Sequence, residues 1–197
     1  QEWGGNRLSK GLIRAGRNKY PFTQALAERL TKVFSEFEPD FLEMNRELFS
    51  MPSALSRFER TGVFSKEDAA ATGAVGMAAR ASGILRDIRL SHPSVLYKSI
   101  EHQPIVKNHG DVYSRVQLRK EEVVQSMQYI RDLLLKVPEM ESYGELQTPQ
   151  PDSFVVSLVE GWRGEICHCA ITGAEGELLL YKIKDPSFHN WLALALA

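Results

Sequence analysis

The stretch Glu160-Gly-Trp-Arg-Gly-Glu-Ile-Cys-His168 places two carboxylates, a guanidinium, two glycines, a thiol and an imidazole within one short segment. Gly161 and Gly164 flank a Trp-Arg pair, and glycine allows the backbone to turn tightly at such positions. The pattern predicts that Arg163 lies where a loop enters a β-hairpin. A side chain that projects from a rigidly held loop often carries function.

The segments around this turn have the pattern of β-strands. Residues Glu165–Ile171 alternate so that Ile166, His168 and Ala170 share one face while the two cysteines share the other. A turn at Thr172–Gly176 leads to a second strand at Leu178–Ile183. The apolar, β-branched run Phe154–Val159 precedes the turn and predicts a further strand.

Size and composition are those of an ordinary soluble domain. The chain has 197 residues, of which 43% are hydrophobic and 25% charged, and its net charge is −1. A charge so close to zero argues against bulk electrostatic binding to nucleic acid. The two cysteines, Cys167 and Cys169, are too close on one strand for an easy disulfide, so a reducing, intracellular setting is expected. Because the sequence opens at Gln1 without a methionine and stops inside an apolar helical pattern, we expect a piece of a longer polypeptide.

The first two thirds of the sequence predict helices. Thr23 is a suitable N-cap for a helix that Pro39 ends or kinks, and Ser65 is a suitable N-cap for another. Asp111 precedes a long amphipathic helix at Tyr113–Val137, and either caps it or pairs with a remote arginine. We therefore expect one partial α+β domain, mainly helical with a small antiparallel sheet. Its parts are a helical region at 1–137, a linker at 138–152, a β-hairpin element at 153–185 and the start of a helix at 186–197.

A charged group follows the small-residue run Gly73–Gly83, which itself favours close backbone packing. The group consists of Arg80, Arg86, Asp87 and Arg89, and the sequence leaves a surface ion-pair cluster and a buried site equally open. His102 and His109 lie in polar segments without metal-ligand company and are expected to be exposed.

No complete catalytic set is evident from the residues alone. The run Cys167-His168-Cys169 is the one thiol–imidazole cluster, and because adjacent strand positions diverge, a structural role is favoured over a metal or Cys–His catalytic site. No nucleophile elbow, phosphate loop or zinc-protease motif is present.

Several ordered motifs resemble one known family. The element Glu160-x-x-Arg163-Gly164-x-x-x-His168 resembles one found in the large subunits of nickel–iron hydrogenases, and together with the segments below it resembles the energy-converting hydrogenases and the 49-kDa-type subunit of respiratory complex I. Further matching segments occur in the same order: Thr61–Ser65, Gly73-x-x-Gly76-x-x-x-Arg80-Ala-Ser-Gly83, Asp87-Ile-Arg89, Gly110-Asp111-x-x-x-Arg115 and Tyr181–Ser187. The ending Asp185-Pro-Ser-Phe-His-Asn-Trp191 leans toward the energy-converting, formate hydrogenlyase-like branch.

The resemblance implies a largely helical large subunit at the cytoplasmic, inner face of a membrane complex. Its partners would be an iron–sulfur small subunit, which carries the iron–sulfur clusters, and membrane subunits, with quinone a further possible ligand. Hydrogenase members hold a Ni–Fe centre with two Cys-x-x-Cys motifs, and neither motif occurs here. No cofactor and no metal ligand are therefore expected in this chain, while its parent is left open between a Ni–Fe centre and a quinone site.

The same resemblance suggests roles for individual residues. Arg163 would steer charge or protons near the redox site, and Glu160 and His168 would pass protons. The residues expected to shape the cavity are Arg80, Asp87, Arg89, Asp111 and Arg115. The alternative is a non-catalytic scaffold that docks an iron–sulfur partner, and an exposed apolar patch would favour it.

Overall fold

The chain folds into helices and two small antiparallel sheets, described in a computed structural model for residues 3–136, 144 and 147–197. The first sheet pairs β1 with β2, and the second has the order β3–β4–β5. This arrangement confirms the predicted α+β class with its small antiparallel element. In chain order the elements are β1 (Ile13–Arg14), β2 (Arg17–Asn18), α1 (Gln24–Ser50), α2 (Pro52–Phe58), α3 (Lys66–Ala71), α4 (Gly76–Ala81), α5 (Ile88–Ser91), α6 (Val95–Ser99), α7 (Val112–Leu134), β3 (Phe154–Gly161), β4 (Gly164–Thr172), β5 (Leu178–Lys184) and α8 (Ser187–Leu196).

The predicted helix N-caps are confirmed by their hydrogen bonds. Thr23 Oγ1 accepts from the Leu26 N–H at 3.2 Å, and Ser65 Oγ accepts from the Asp68 N–H at 3.0 Å. Asp111 Oδ1 accepts from the Ser114 N–H at 2.8 Å. Each cap satisfies a backbone donor that the first turn of a helix leaves without a partner.

Pro39 does not end the first helix, so that alternative of the prediction is wrong. Helix α1 runs from Gln24 to Ser50 with Pro39 inside it. Phe37 and Phe41 stack across the proline with ring centroids 5.6 Å apart, a contact between residues four apart that the helical path provides. The stabilisation from the rest of the helix therefore exceeds the loss of the one backbone hydrogen bond that Pro39 cannot donate.

The chain divides into two compact units. The first comprises Gln1–Glu47 and Gln125–Thr148, and the second comprises Leu48–Val124 and Pro149–Ala197. Within the first unit, Arg131 pairs with Glu38. The predicted linker at 138–152 falls mostly outside the described residues, since 137–143, 145 and 146 are not described.

The core of the second unit is built from small side chains. Phe64, Ala69, Ala74, Ala79 and Ala193 are buried together, with Ile84 packed against them. Alanine allows helices and strands to approach closely, because it fills little space between two backbones. This confirms packing as the role of the small-residue run.

The three-stranded sheet confirms the three strands that the sequence predicts here. In the register of β3 and β4, Glu160 lies opposite Glu165, and Ser157 lies opposite His168. Strand β5 pairs with β4 so that Ile183 lies opposite His168. Since side chains alternate along a strand, Glu160 and His168 point to opposite faces of this sheet.

The turn between β3 and β4 is held against the start of α4 by direct backbone contact. A Cβ atom added to Gly76 would lie 2.2 Å from Gly164 Cα, and one added to Gly164 would lie 2.8 Å from Val75 Cγ2. Asn190 bridges the two segments, donating to the carbonyl oxygens of Val75 and Arg163 at 3.3 Å each. The position of the turn is therefore fixed by two facing glycines.

Among the described residues, no helix is both long enough and apolar enough to cross a membrane.

We expect Gly76→Ala to lower the free energy of unfolding by roughly 2–5 kcal/mol, because a left-handed backbone and a backbone overlap are both penalised. Gly73→Ala is the matched control, since Gly73 has a similar φ of +66° but no atom within 4 Å of the added Cβ. That control should lose only about 1–2 kcal/mol. Urea unfolding followed by circular dichroism measures both, and equal losses would contradict the contact between the two glycines.

Candidate functional site

Arg80 is a buried arginine at the centre of the second unit. It lies near the end of α4 and is 1% exposed. Its Nη1 donates to Glu160 Oε1 at 2.9 Å and to the Arg86 carbonyl at 3.1 Å, and its Nη2 donates to Glu122 Oε1 at 2.7 Å. A guanidinium out of water needs such partners, because an unpaired buried charge is strongly destabilising. Of the two alternatives left open by the sequence, the structure therefore selects the buried site.

Asp87 is the second centre of this site. It caps α5 by accepting from the Arg89 N–H at 2.9 Å, and it also accepts from Arg89 Nε at 2.9 Å and Nη2 at 2.7 Å. Arg80 Nη1 lies 3.4 Å from the same carboxylate, and His102 Nε2 lies 3.2 Å from it. A carboxylate so well supplied with donors is stabilised in its ionised form.

The third part of the site comes from the sheet. Glu160, at the end of β3, accepts from Arg80 through Oε1 and from the Ile88 N–H through Oε2 at 3.1 Å. Its cross-strand neighbour Glu165 pairs with Arg86 at 3.0 Å at the more exposed edge. We call the buried group the Arg80 cluster, and its members are Arg80, Asp87, Arg89, His102, Glu122 and Glu160.

Charge counting shows that the Arg80 cluster has one negative charge in excess when every carboxylate is ionised. Arg80 and Arg89 supply two positive charges, against three carboxylates, while the pKa of His102 is lowered by burial and its imidazole is neutral. Burial raises the pKa of Glu160, and the hydrogen bonds from Arg80 and Ile88 only partly offset it. Burial alone would raise the pKa of Asp87 too, but the Arg89 hydrogen bonds and the nearby positive charges bring it below its usual value. A proton on Glu160 would make the Arg80 cluster neutral.

The tautomer of His102 follows from its partner. An ionised carboxylate can only accept, so the neutral imidazole carries its proton on Nε2, which faces Asp87. His102 is 4% exposed, which makes the expected exposure of this residue wrong. The polar sequence around His102 gives no sign of burial, because the partner that buries it lies 15 residues earlier in the chain.

Glu122 is a member of the Arg80 cluster that the sequence does not indicate. Its charge predicts a place on the solvated side of the long helix, yet it is 8% exposed and bonded to Arg80. The buried face of α7 follows Ser114, Leu118 and Glu122 at intervals of four residues. This four-residue spacing is the sequence signal that could have indicated the burial of Glu122. The signal is hard to recognise, because two of the three residues are polar and a buried helix face is usually apolar.

The three predicted catalytic residues are not brought together. Glu160 belongs to the Arg80 cluster, whereas Arg163 is exposed in the turn between β3 and β4. The pKa of Asp185 is lowered mainly by its hydrogen bonds with Ser187, and the positive charge of Arg163 lowers it further. The structure therefore does not bring Arg163 into the Arg80 cluster. His168 lies on the other face of the sheet, where its Nδ1 bonds with the Tyr181 hydroxyl.

Asp111 and Arg115, predicted to line the cavity, make contacts that hold the loop before α7. Asp111 caps the helix and also accepts from the Arg60 N–H at 3.0 Å. Arg115 donates to the carbonyl oxygens of Gly110 at 2.7 Å and Gly62 at 2.9 Å. The capping alternative for Asp111 is the one observed, and a cavity role for either residue stays a prediction.

The residues present do not fit a nickel–iron centre. The sequence has only two cysteines and no Cys-x-x-Cys motif. The described residues also contain no group of three or more histidine, cysteine or acidic side chains placed to hold one metal ion.

We expect Glu160→Gln to flatten the pH dependence of folding stability. Because folding raises the pKa of Glu160, the stability tied to its proton is present at acid pH and is lost as pH rises above the unfolded value of about 4.3. Urea unfolding across a pH series should show a smaller decline for the variant than for the wild type. Glu175→Gln, at an exposed glutamate, is the control. If the Glu160→Gln and wild-type curves ran parallel, the raised pKa of Glu160 would be contradicted.

Asp87→Asn should act with the opposite sign. Its carboxyl has a lowered pKa, so the stability it contributes is lost as pH falls, and the variant should remove that acid loss. The same urea series, extended to lower pH, measures the effect. An acid loss that persists unchanged in Asp87→Asn would have to come from another carboxylate.

Comparisons with known proteins show to which family this chain belongs. The chain is 30% identical to a D-type subunit of NADH-quinone oxidoreductase from Chloroherpeton thalassium, over 96% of this chain and 49% of that protein. It is 28% identical to the carbon monoxide-induced hydrogenase of Rhodospirillum rubrum, over 96% of this chain and 53% of that protein. The chain thus spans about half the length of the curated relatives it matches.

A solved structure shares the fold. A chain of the membrane-bound sulfane sulfur reductase, an archaeal respiratory membrane complex, superposes with a TM-score of 0.80 over 91% of this chain and 50% of that one, at 21% identity. The family model described as respiratory-chain NADH dehydrogenase, 49 Kd subunit, matches residues 1–153. The predicted resemblance is thereby confirmed: this chain belongs to the 49-kDa subunit family of the respiratory-chain NADH dehydrogenase.

Proposed function

We propose that this chain forms part of the large subunit of a membrane-associated oxidoreductase complex, either hydrogenase-like or NADH:quinone oxidoreductase-like. In that complex it shapes the cavity for redox chemistry or quinone. The family membership supports this, as do relatives named as a subunit of NADH-quinone oxidoreductase and as a hydrogenase.

The observation that carries the proposal is the fixed turn between β3 and β4. Its base is clamped by Gly76, Gly164 and Asn190, while the Arg163 side chain remains exposed. A rigid base with a projecting charged group is the arrangement that a preorganised electrostatic site requires. Guanidinium stays charged at all relevant pH values and binds carboxylates or other oxyanions through two donors.

We assign proton transfer to Glu160 and His168, the two other predicted catalytic residues. Glu160 has a raised pKa and accepts hydrogen bonds from Arg80 and from the Ile88 N–H. His168 is hydrogen-bonded to Tyr181 on the other face of the sheet. Both side chains belong to groups that exchange protons readily near physiological pH when suitably placed.

The parent complex is proposed to lie at the inner face of the cell membrane. There the large subunit would contact an iron–sulfur small subunit and membrane subunits, and quinone would be its ligand in the complex I-like case. The fold shared with a chain of an archaeal respiratory membrane complex supports the association with a membrane complex.

The test is Arg163→Ala in the intact parent complex. We expect lost turnover with normal assembly, because Arg163 is exposed and its removal leaves the buried packing untouched. Arg57→Ala, at another exposed arginine, should keep turnover, and Arg163→Lys should retain part of it. Arg80→Ala should instead prevent assembly, since removing one partner of a buried ion pair costs about 3–5 kcal/mol. Normal turnover of Arg163→Ala would refute the role given to Arg163.

A second candidate function is a non-catalytic scaffold that docks an iron–sulfur partner. The apolar face of α8 favours it, because Phe188, Trp191 and Leu194 are 77%, 67% and 73% exposed. Metal analysis of the full-length parent separates the possibilities. If nickel and iron are both present, the parent is a hydrogenase. If neither metal is present but a quinone inhibitor binds, the parent belongs to the complex I side. If neither metal is present and no quinone inhibitor binds, the scaffold function is indicated.

A further inference from the structure

The two cysteines of β4 form a pair of thiols on one face of the sheet. Cys167 and Cys169 are both free and half-buried. In register, Cys167 lies between Leu158 and Lys184, and Cys169 lies between Val156 and Lys182. Each thiol therefore has an aliphatic side chain on one side and a lysine on the other, at cross-strand Cβ distances of about 4.5–5.5 Å.

Strand geometry keeps this pair from forming a disulfide. Residues two apart on a strand are separated by about 6.6 Å, and their Cβ atoms point the same way. A disulfide requires Cβ atoms about 3.8 Å apart, so the extended strand would have to break its pairing to form one. A single bridging atom is different, because two metal–thiolate bonds of about 2.3 Å each hold the sulfurs about 4.6 Å apart, and rotation of the two side chains about χ1 can reach that separation without moving the backbone.

We propose that Cys167 and Cys169 form a binding site for a soft, two-coordinate metal cation, with Cu(I) as the fitting ion. Thiolates select soft cations. His168, the imidazole between them in sequence, points to the other face and bonds with Tyr181. Within the described residues, no third histidine, cysteine or carboxylate completes a ligand set, which disfavours tetrahedral zinc.

Charge supports the same ion. On binding, Cu(I) replaces two thiol protons and gives a bis-thiolate complex with a net charge of −1. Lys182 and Lys184 lie directly beside the two sulfurs on the neighbouring strand, and their ammonium groups offset that charge. Every residue of β5 is exposed, so an ion can approach from this edge.

The proposal is tested with Cu(I) itself, on the reduced 197-residue chain under anaerobic conditions, against a chromophoric Cu(I) chelator. We expect one bound ion per chain, and X-ray absorption should show two sulfur ligands. Cys167→Ser and Cys169→Ser should each lose the ion. The Lys182→Gln/Lys184→Gln variant should keep the stoichiometry but bind several-fold more weakly, most clearly at low salt.

Ser157→Ala is the matched control, because Ser157 lies on the opposite face, across from His168. It should bind as the wild type does. Circular dichroism checks that each variant is folded, and alkylation of the wild-type thiols gives the same readout without a substitution. Copper retained by both single serine variants, three or more ligands at the metal, or copper shared between two chains would each overturn the proposal.

Discussion

The second unit depends on keeping one guanidinium out of water. Arg80 is 1% exposed, and its charge is matched by carboxylates from three separate segments: Asp87 before α5, Glu122 on α7 and Glu160 on β3. Desolvating these groups is unfavourable unless all of them meet. The ionic contacts therefore add little net stability. Their main effect is to exclude arrangements of the segments that would leave one of these charges unpaired.

That condition explains why β3 and its turn have two distinct sides. The inward side carries Glu160 to Arg80, and the turn then exposes Trp162 and Arg163. Because Gly76 and Gly164 leave no room for side chains between them, the turn cannot move without disturbing the start of α4. The exposed arginine is thus positioned by interactions of the backbone and of its neighbours, in which its own side chain takes no part.

Sequence reasoning succeeds where the signal is local. The strands, the N-caps at Thr23, Ser65 and Asp111 and the packing role of the small-residue run can be predicted, because each depends on neighbours within a few residues.

Sequence reasoning fails where two residues that contact each other are far apart in the chain. Glu122 and His102 are buried by Arg80 and Asp87, which lie 42 and 15 residues away, and no local pattern marks either contact. The sequence predicts a turn at Arg163, but it does not show that the neighbouring Glu160 contacts Arg80, because these two residues lie 80 positions apart.

The alternation along β3 also limits how its length can change in evolution. Losing or gaining one residue between Phe154 and Glu160 would turn the carboxylate outward and present the opposite set of side chains to Arg80. Insertions or deletions in this strand should therefore survive in relatives only in pairs, or where a bulge absorbs the odd residue.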